Sequence, residues 1–262
     1  MGPSRLPDEP LTGAHKALVA GTQRLYEQAL FHVLNSVSKR IESTQPDAAS
    51  ARLVLAGGCA LNSVANGTIS AATAFQEVFV PPAPGDAGGA VGAAYLTAVE
   101  LDPKCRPQPM RSPYLGPSSS GDELESLLQR QALALHAGAI RCSRPHPKDL
   151  YPLVAQALAD GAVVGWFQGR AEWGARALGN RSLLAEPRRA DMRRTLSAKI
   201  KLRETFRPFA PSVLASQAHE WFEIAGEVPY RSSVVSVLPC CRARIPAVVH
   251  ADGTFRLPAC KR

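Results

Sequence analysis

No apolar run in this chain goes far before glycine or proline interrupts it. Leu53-Val54-Leu55-Ala56 ends in Gly57-Gly58, Val78-Phe79-Val80 ends in Pro81-Pro82, and Ala162 to Phe167 leads into Gly169. Short apolar runs bounded by such breakers read as buried strands. The segments around them have helical spacing instead. From Ala14 to Ile41, Leu18, Leu25, Ala29, Leu30, Val33, Leu34, Val37 and Ile41 recur with that period, and Ser43 to Ser50, with Pro46, closes the helix. Ala60 to Phe75 reads as mostly helical, and Ala87 to Leu101 as a helix of small residues. Strands alternating with helices predict an α/β chain.

The same punctuation argues against a membrane span. The longest uncharged run, Leu53 to Gln76, is broken by Gly, Asn, Ser and Thr, and Ala87 to Val99 is too short to cross a bilayer. The opening residues, MGPSRLPDEPLTG, have no apolar core of the kind a secretory signal carries. With 45% hydrophobic and 20% charged residues, the composition is that of a globular protein, not a disordered, coiled-coil or collagen-like one. Cysteines stand at 59, 105, 142, 240, 241 and 260 without a CxxC pair, so neither a zinc site nor a disulfide framework is indicated. A soluble, reduced, cytoplasmic protein is expected.

At 262 residues the chain has room for one large domain or two small ones. Residues 102–121 carry five prolines and a serine run, which marks a linker. The domains expected are therefore 1–101 and 122–262. In the second, a helix from Asp122 to His136 follows a Ser119 or Ser120 cap, then a strand (Ala139 to Cys142), a helix (Lys148 to Asp160) stopped by Gly161, and the strand Ala162 to Phe167. A further helix over Ala190 to Ile200 and two or three strands between Ser232 and Leu257 complete it.

The charge is uneven. Of the formal net +8, a surplus of seven sits between Arg170 and Arg207, with eleven Lys or Arg against four Asp or Glu. Concentration of this kind favours an anionic ligand such as a phosphate or a nucleotide. The strand ending at Phe167 delivers Gln168, Gly169 and Arg170 to its end, where open α/β sheets bind ligands. Arg176 and Arg181 follow in the same glycine-containing loop, with Glu172 placed to balance one of them. Guanidinium forks match phosphate and carboxylate geometry. Lys199, Lys201, Arg203 and Arg207 come next, stiffened by Pro208 and Pro211. A merely solvated surface seldom interleaves its charges with Trp166, Phe167, Trp173, Phe206 and Phe209, although Arg188, Arg189, Arg193 and Arg194 fit that description. In the first half, Gly57-Gly58 lets a backbone approach a ligand closely, Asn62 can add an amide hydrogen bond, and Asp86 opens a glycine-rich helix start either as a cap or as a metal ligand. The six histidines form no HxxxH or HxxH pair, and His250 precedes a turn, Ala251-Asp252-Gly253-Thr254.

Taken in order, LAGGCALNSVANG, PPAPGDAGGAVGAA, SPYLGPS, GWFQGRAEWGARALGNRSLLAEPR, IKLRETFRPFAPSVL and IPAVVHADGTFRL resemble the NodU/CmcH-type O-carbamoyltransferases. The resemblance runs from roughly Leu55 to Leu257, and more loosely from His15. It implies the C-terminal half of an ASKHA-like domain followed by a YrdC-like domain. In the YrdC-like domain of such enzymes carbamoyl phosphate and ATP, with magnesium, give carbamoyl adenylate. The ASKHA-like domain, which holds iron, then passes the carbamoyl group to an acceptor hydroxyl. On this resemblance Gly57, Gly58 and Asn62 match the nucleotide loop and Asp86 an aspartate metal ligand. Arg170, Arg176, Lys201, Arg203 and Arg207 match the anion site, with Arg170, Lys201 and Arg203 as the catalytic group. Arg256 matches a further basic position that reaches carbamoyl phosphate. The departures are an absent HxxxH pair and an absent Asn-Thr-Ser-Phe-Asn segment, Ala175 in place of the usual proline, and Ser197 in place of the usual asparagine. They imply a chain corresponding to the middle of a longer enzyme, with a possible partner chain supplying the rest. The other expectations are a non-catalytic truncated remnant or split subunit that binds carbamoyl phosphate or nucleotide or docks to a full-length relative, and RNA binding through the basic cluster, disfavoured because the aromatics are not spaced as a stacking platform.

Overall fold

A computed structural model describes residues 4–6, 9–44, 52–108, 110, 112–132, 138, 140–224 and 228–256. By packing, the chain divides into two units: residues 1–54 with 68–79, and residues 55–67 with 80–262.

The first unit contains helix α1 (Gly13–Thr44) and strands β1 (Arg52–Val54) and β2 (Glu77–Phe79). Helix α1 matches the expected periodicity, but only Leu34 is buried on it; Leu18, Val19, Leu25, Val33 and Val37 stay exposed. The break expected over Ser43 to Ser50 lies mostly outside the described residues. Strands β1 and β2 pair in parallel, with Leu53 opposite Val78. The strand expected to be buried is not: Val54 is 71% exposed. A parallel strand reads as buried only when both faces are covered and it has neighbours on both edges. This sheet has two strands among the described residues. Helix α2 (Ser63–Ala72) runs from the second unit into the first, and the Asn35 side-chain amide donates to the Ala72 carbonyl at its end.

In the second unit a single 3-10 turn (Gly58–Leu61) leads into α2, and α3 (Asp86–Leu101) is the expected small-residue helix. Helix α4 (Gly121–Arg130) starts with a capping box in which Ser120 and Glu123 exchange side-chain-to-backbone bonds. It ends before the predicted His136, which lies outside the described residues. Residues 140–142 form no strand, contrary to expectation. Helix α5 (Pro147–Ala159) is capped by His146 and stopped at Gly161, where φ is +93°. Strand β3 (Val164–Phe167) pairs antiparallel with β4 (Arg181–Leu184), with Trp166 opposite Ser182. The antiparallel pairing removes the parallel-sheet crevice expected at the strand's end. It also leaves Phe167 outside, where the Arg181 guanidinium covers its ring at 3.5 Å.

Helix α6 (Met192–Thr195) passes into a π-helical turn (Leu196–Ile200). The final sheet orders β5 (Phe222–Glu223), β6 (Val234–Val237) and β7 (Thr254–Arg256), all antiparallel, with a short helix α7 (Pro239–Arg242) between the last two. Its core joins Phe222, Val237, Cys241, Ile245, Val248 and Phe255, the two phenyl rings tilted at a centroid distance of 4.0 Å. Phe209 packs against this core and against Met192, Leu196 and Ala247 beside it.

Residues 113–117, in the stretch expected to be a linker, are tied to the loop after β3. Gly116 N donates to the Ala171 carbonyl, Ala171 N to Pro117, Trp173 N to Pro113, and the Tyr114 hydroxyl to Leu178. No helix of the described residues is long and apolar enough to cross a membrane. Phe255→Ala, at a fully buried core position, is expected to lower stability by about 3–5 kcal/mol in urea unfolding.

Candidate anion site

The loop between β3 and β4 is organised by a carboxylate. Glu172 Oε1 accepts from the backbone amides of Leu178 (2.8 Å), Asn180 (2.7 Å) and Arg181 (3.2 Å). Burial pushes its carboxyl up, but these amides outweigh burial and hold it below the ordinary value. Glu172 was expected to balance an arginine; it collects amides instead. Arg181 is likewise committed. It donates to the carbonyls of Gln168, Asn180, Gly169 and Pro117, so it fixes the loop and has little left for a ligand.

Arg176 leaves this loop in another direction. Its Nη2 donates to the Leu61 carbonyl at 2.6 Å and its Nη1 to the Arg231 carbonyl. Arg231 in turn donates to the Ala177 carbonyl at 3.2 Å. Asn66 on α2 completes the junction, donating to the carbonyls of Ala60 (2.8 Å) and Ser232 (2.9 Å). The backbones are close enough that a Cβ on Gly67 would lie 2.5 Å from the Val234 carbonyl oxygen. Only glycine fits there.

The junction brings guanidinium groups together. Burial lowers the Arg176 pKa to about 10, and the charges of Arg256 and Arg231 add to that. Burial also lowers Arg231, with help from Arg256 and Arg203, and burial lowers Arg256. All remain cations at neutral pH. The buried Nε atoms of Arg203, Arg231 and Arg256 have no hydrogen-bond partner, and none of these four arginines forms an ion pair among the described residues. The backbone is strained at the same place. Leu202, Tyr230 and Arg231 are the positive-φ non-glycine residues of the described chain, at +47°, +61° and +57°. Such conformations persist where the surroundings over-determine them, often at ligand sites.

Of the four arginines gathered here, the sequence analysis named Arg176, Arg203 and Arg256 and not Arg231. Arg231 stands outside the Arg170–Arg207 charge run, and the signal it carries is its left-handed backbone, which sequence does not display. The π-helical turn places the Lys201-Leu202-Arg203 signature: Lys201 N donates to Leu196 and Arg203 N to the Ser197 carbonyl. The Arg203 guanidinium lies 4.7 Å from the Phe209 ring centroid. Lys201 is exposed beside it. Arg207 pairs with Glu204 at 3.0 Å. Arg170 is exposed and donates to the Leu115 carbonyl, and the contacts that join the cluster do not include it. Arg188 and Arg189 are exposed, in keeping with the solvated face expected of them, and pair there with Glu186 and Asp191.

The glycine loop lies at the same end of this unit. Gly57, at φ +98°, donates its N–H to the Pro84 carbonyl, and a Cβ on Gly85 would lie 3.9 Å from the Gly58 Cα. Thus 57–58 and the start of α3 at Asp86 meet. Asn62 uses its side-chain oxygen to cap α2, accepting from Ala65 N. Asp86 is exposed, and Gly85 holds the N-cap position of α3. Among the described residues no three His, Cys, Asp or Glu side chains gather to hold a metal ion. Among the described residues, the donors that the iron implied by the resemblance would need are not gathered at Asp86.

Two family patterns match this chain: the carbamoyltransferase N-terminus over residues 6–95 and the carbamoyltransferase C-terminus over residues 155–262. The chain belongs to the carbamoyltransferase family. It is 41% identical over 256 residues to the nodulation protein NolNO of Sinorhizobium fredii, covering 97% of this chain and 36% of the relative. It is 38% identical to the nodulation protein NolO of Bradyrhizobium diazoefficiens, covering 97% and 44%, and 37% identical to nodulation protein U of the same organism, covering 80% and 34%. The chain thus spans less than half the length of these relatives. The C-terminal family match contains Arg176, Arg203, Arg231 and Arg256.

A cluster of unneutralised cations destabilises the fold until an anion binds. Arg231→Met is therefore expected to raise the melting temperature in anion-free buffer by a few degrees. If the cluster is an anion site, phosphate should raise the melting temperature of the unaltered protein, and Arg231→Met should flatten that rise. A thermal unfolding series against phosphate concentration checks both effects.

Proposed function

We propose that this chain activates carbamoyl phosphate for O-carbamoyl transfer. The guanidinium cluster carries the reading: four arginines converge without an ion-paired carboxylate among the described residues, an arrangement that suits a phosphoryl ligand. Residues 122–262 serve as the YrdC-like part and residues 1–101 as part of an ASKHA-like domain, as the family resemblance implies.

In this reading Arg176, Arg203 and Arg256 hold the phosphate of carbamoyl phosphate, with Lys201 and Arg207 at the rim. Water cleaves the ligand to carbamate and inorganic phosphate. A carbamate oxygen then attacks the α-phosphorus of ATP, the bond to the β-phosphate oxygen breaks, and pyrophosphate leaves. Each step concentrates negative charge on departing oxygens, and fixed guanidinium donors stabilise it without reorganising. Magnesium arrives with the triphosphate as part of the substrate. An acceptor hydroxyl of a small molecule or sugar finally displaces AMP from carbamoyl adenylate. Gly57, Gly58 and Asn62 form the loop assigned to the nucleotide of that second step.

Carbamoyl-phosphate-dependent exchange of labelled pyrophosphate into ATP tests this directly on folded, monodisperse protein. Exchange is expected. Its absence from a sample that still binds carbamoyl phosphate would reduce the chain to a binding module. Lys201→Ala should weaken carbamoyl phosphate binding about tenfold without moving the melting temperature, because the side chain is exposed and forms no ion pair among the described residues. Arg194→Ala, on the exposed side of α6, should leave affinity unchanged. Unchanged affinity in Lys201→Ala removes that residue from the site.

A further inference from the structure

A ring of arginines offers hydrogen-bond donors and no acceptor. Such a site holds phosphate but does nothing for the amide end of a carbamoyl group, whose two N–H bonds need acceptors. One buried acceptor lies on the right face of the final sheet. Along β7 side chains alternate: Phe255 enters the core, while Thr254 and Arg256 point to the other face. His250 Nδ1 lies 3.2 Å from Thr254 Oγ1, so its ring shares the face that carries Arg256.

The hydrogen-bond network sets the tautomer. Asp252 Oδ1 takes the Thr254 backbone N–H at 2.9 Å and is 2.7 Å from Thr254 Oγ1. Burial raises the Asp252 carboxyl, but the bonds from Thr254 and the nearby His250 outweigh burial and keep it below the ordinary value. A carboxylate only accepts, so the single hydroxyl proton of Thr254 goes to it. Thr254 Oγ1 must then accept from His250 Nδ1–H. Burial, with the charges of Arg256 and Arg193, lowers the His250 pKa against the pull of Asp252, which favours the neutral ring. Nε2 is left as a bare lone pair, and it is buried without a hydrogen-bond partner among the described residues.

We propose that His250 Nε2, fixed by the Asp252–Thr254 relay beside Arg256, accepts an N–H of the carbamoyl group and so distinguishes carbamoyl phosphate from acyl phosphates that lack the amide. This rests on the carbamoyl phosphate reading above. Acetyl phosphate is the natural probe, since it replaces NH2 by CH3 at nearly the same volume, and inorganic phosphate probes the arginines alone. A site built to bond an N–H rejects the analogue without it, because its own acceptor is left unpaired.

Calorimetric titration of the full chain with the three ligands at pH 7.5 tests the assignment. The unaltered protein should bind carbamoyl phosphate about tenfold tighter than acetyl phosphate. His250→Phe should bring the two to near equality by weakening carbamoyl phosphate alone, and His250→Gln, which keeps an acceptor, should restore part of the preference. Thr254→Val supplies a second test should His250→Phe not fold. It removes the hydroxyl that orients the ring, and the preference should fall while phosphate binding holds. A preserved ratio in these variants, or an equal weakening of all three ligands, overturns the proposal. So does an unaltered protein that binds both acyl phosphates equally, which leaves the anion site standing. Binding of inorganic phosphate without carbamoyl phosphate overturns the functional reading itself, and this assignment with it.

Discussion

The Arg176 guanidinium gives both terminal nitrogens to backbone carbonyls, one 115 residues away at Leu61 and one 55 residues away at Arg231. Three chain segments are joined by one side chain. The 3-10 turn before α2, the β3–β4 loop and the strained turn before β6 meet there because a planar fork can serve two acceptors at fixed angles. Asn66 repeats the tie from the α2 side, and Gly67 lets the backbones come close enough for it. Arg231 and Arg256 approach Arg176 as a consequence of this junction.

That convergence runs against electrostatics. Like charges repel, burial penalises each of them, and the left-handed turn at Tyr230 and Arg231 adds strain. Core packing of Phe222, Val237 and Phe255 on the same sheet offsets these terms. Core stability therefore holds together cations that the phosphoryl ligand proposed above would neutralise. Membership in the carbamoyltransferase family says which anion to try first.

Several residues named from sequence serve the scaffold. Glu172 binds three amides rather than an arginine, Arg181 holds four carbonyls, and Asn62 caps a helix. Residues 113–117 read as a linker because proline and serine dominate, yet they brace the β3–β4 loop. Composition reports what a segment avoids locally, such as helix, and is silent about which distant backbone completes its hydrogen bonds.

What the sequence by itself determined is local or compositional. Helix α1, the small-residue helix α3, the Ser120 cap and the stop at Gly161 follow from periodicities and signals only a few residues long. The concentration of positive charge, and through its motifs the family, were also legible there. Only the tertiary structure decided that β3 pairs antiparallel and that β1 stays exposed. It also tied Arg170 to the Leu115 carbonyl, paired Arg207 with Glu204, and brought Arg231 beside Arg176. The reason is physical. An arginine's identity is written at one position, but its partner is set by contacts across more than fifty residues and by backbone angles that no residue type announces.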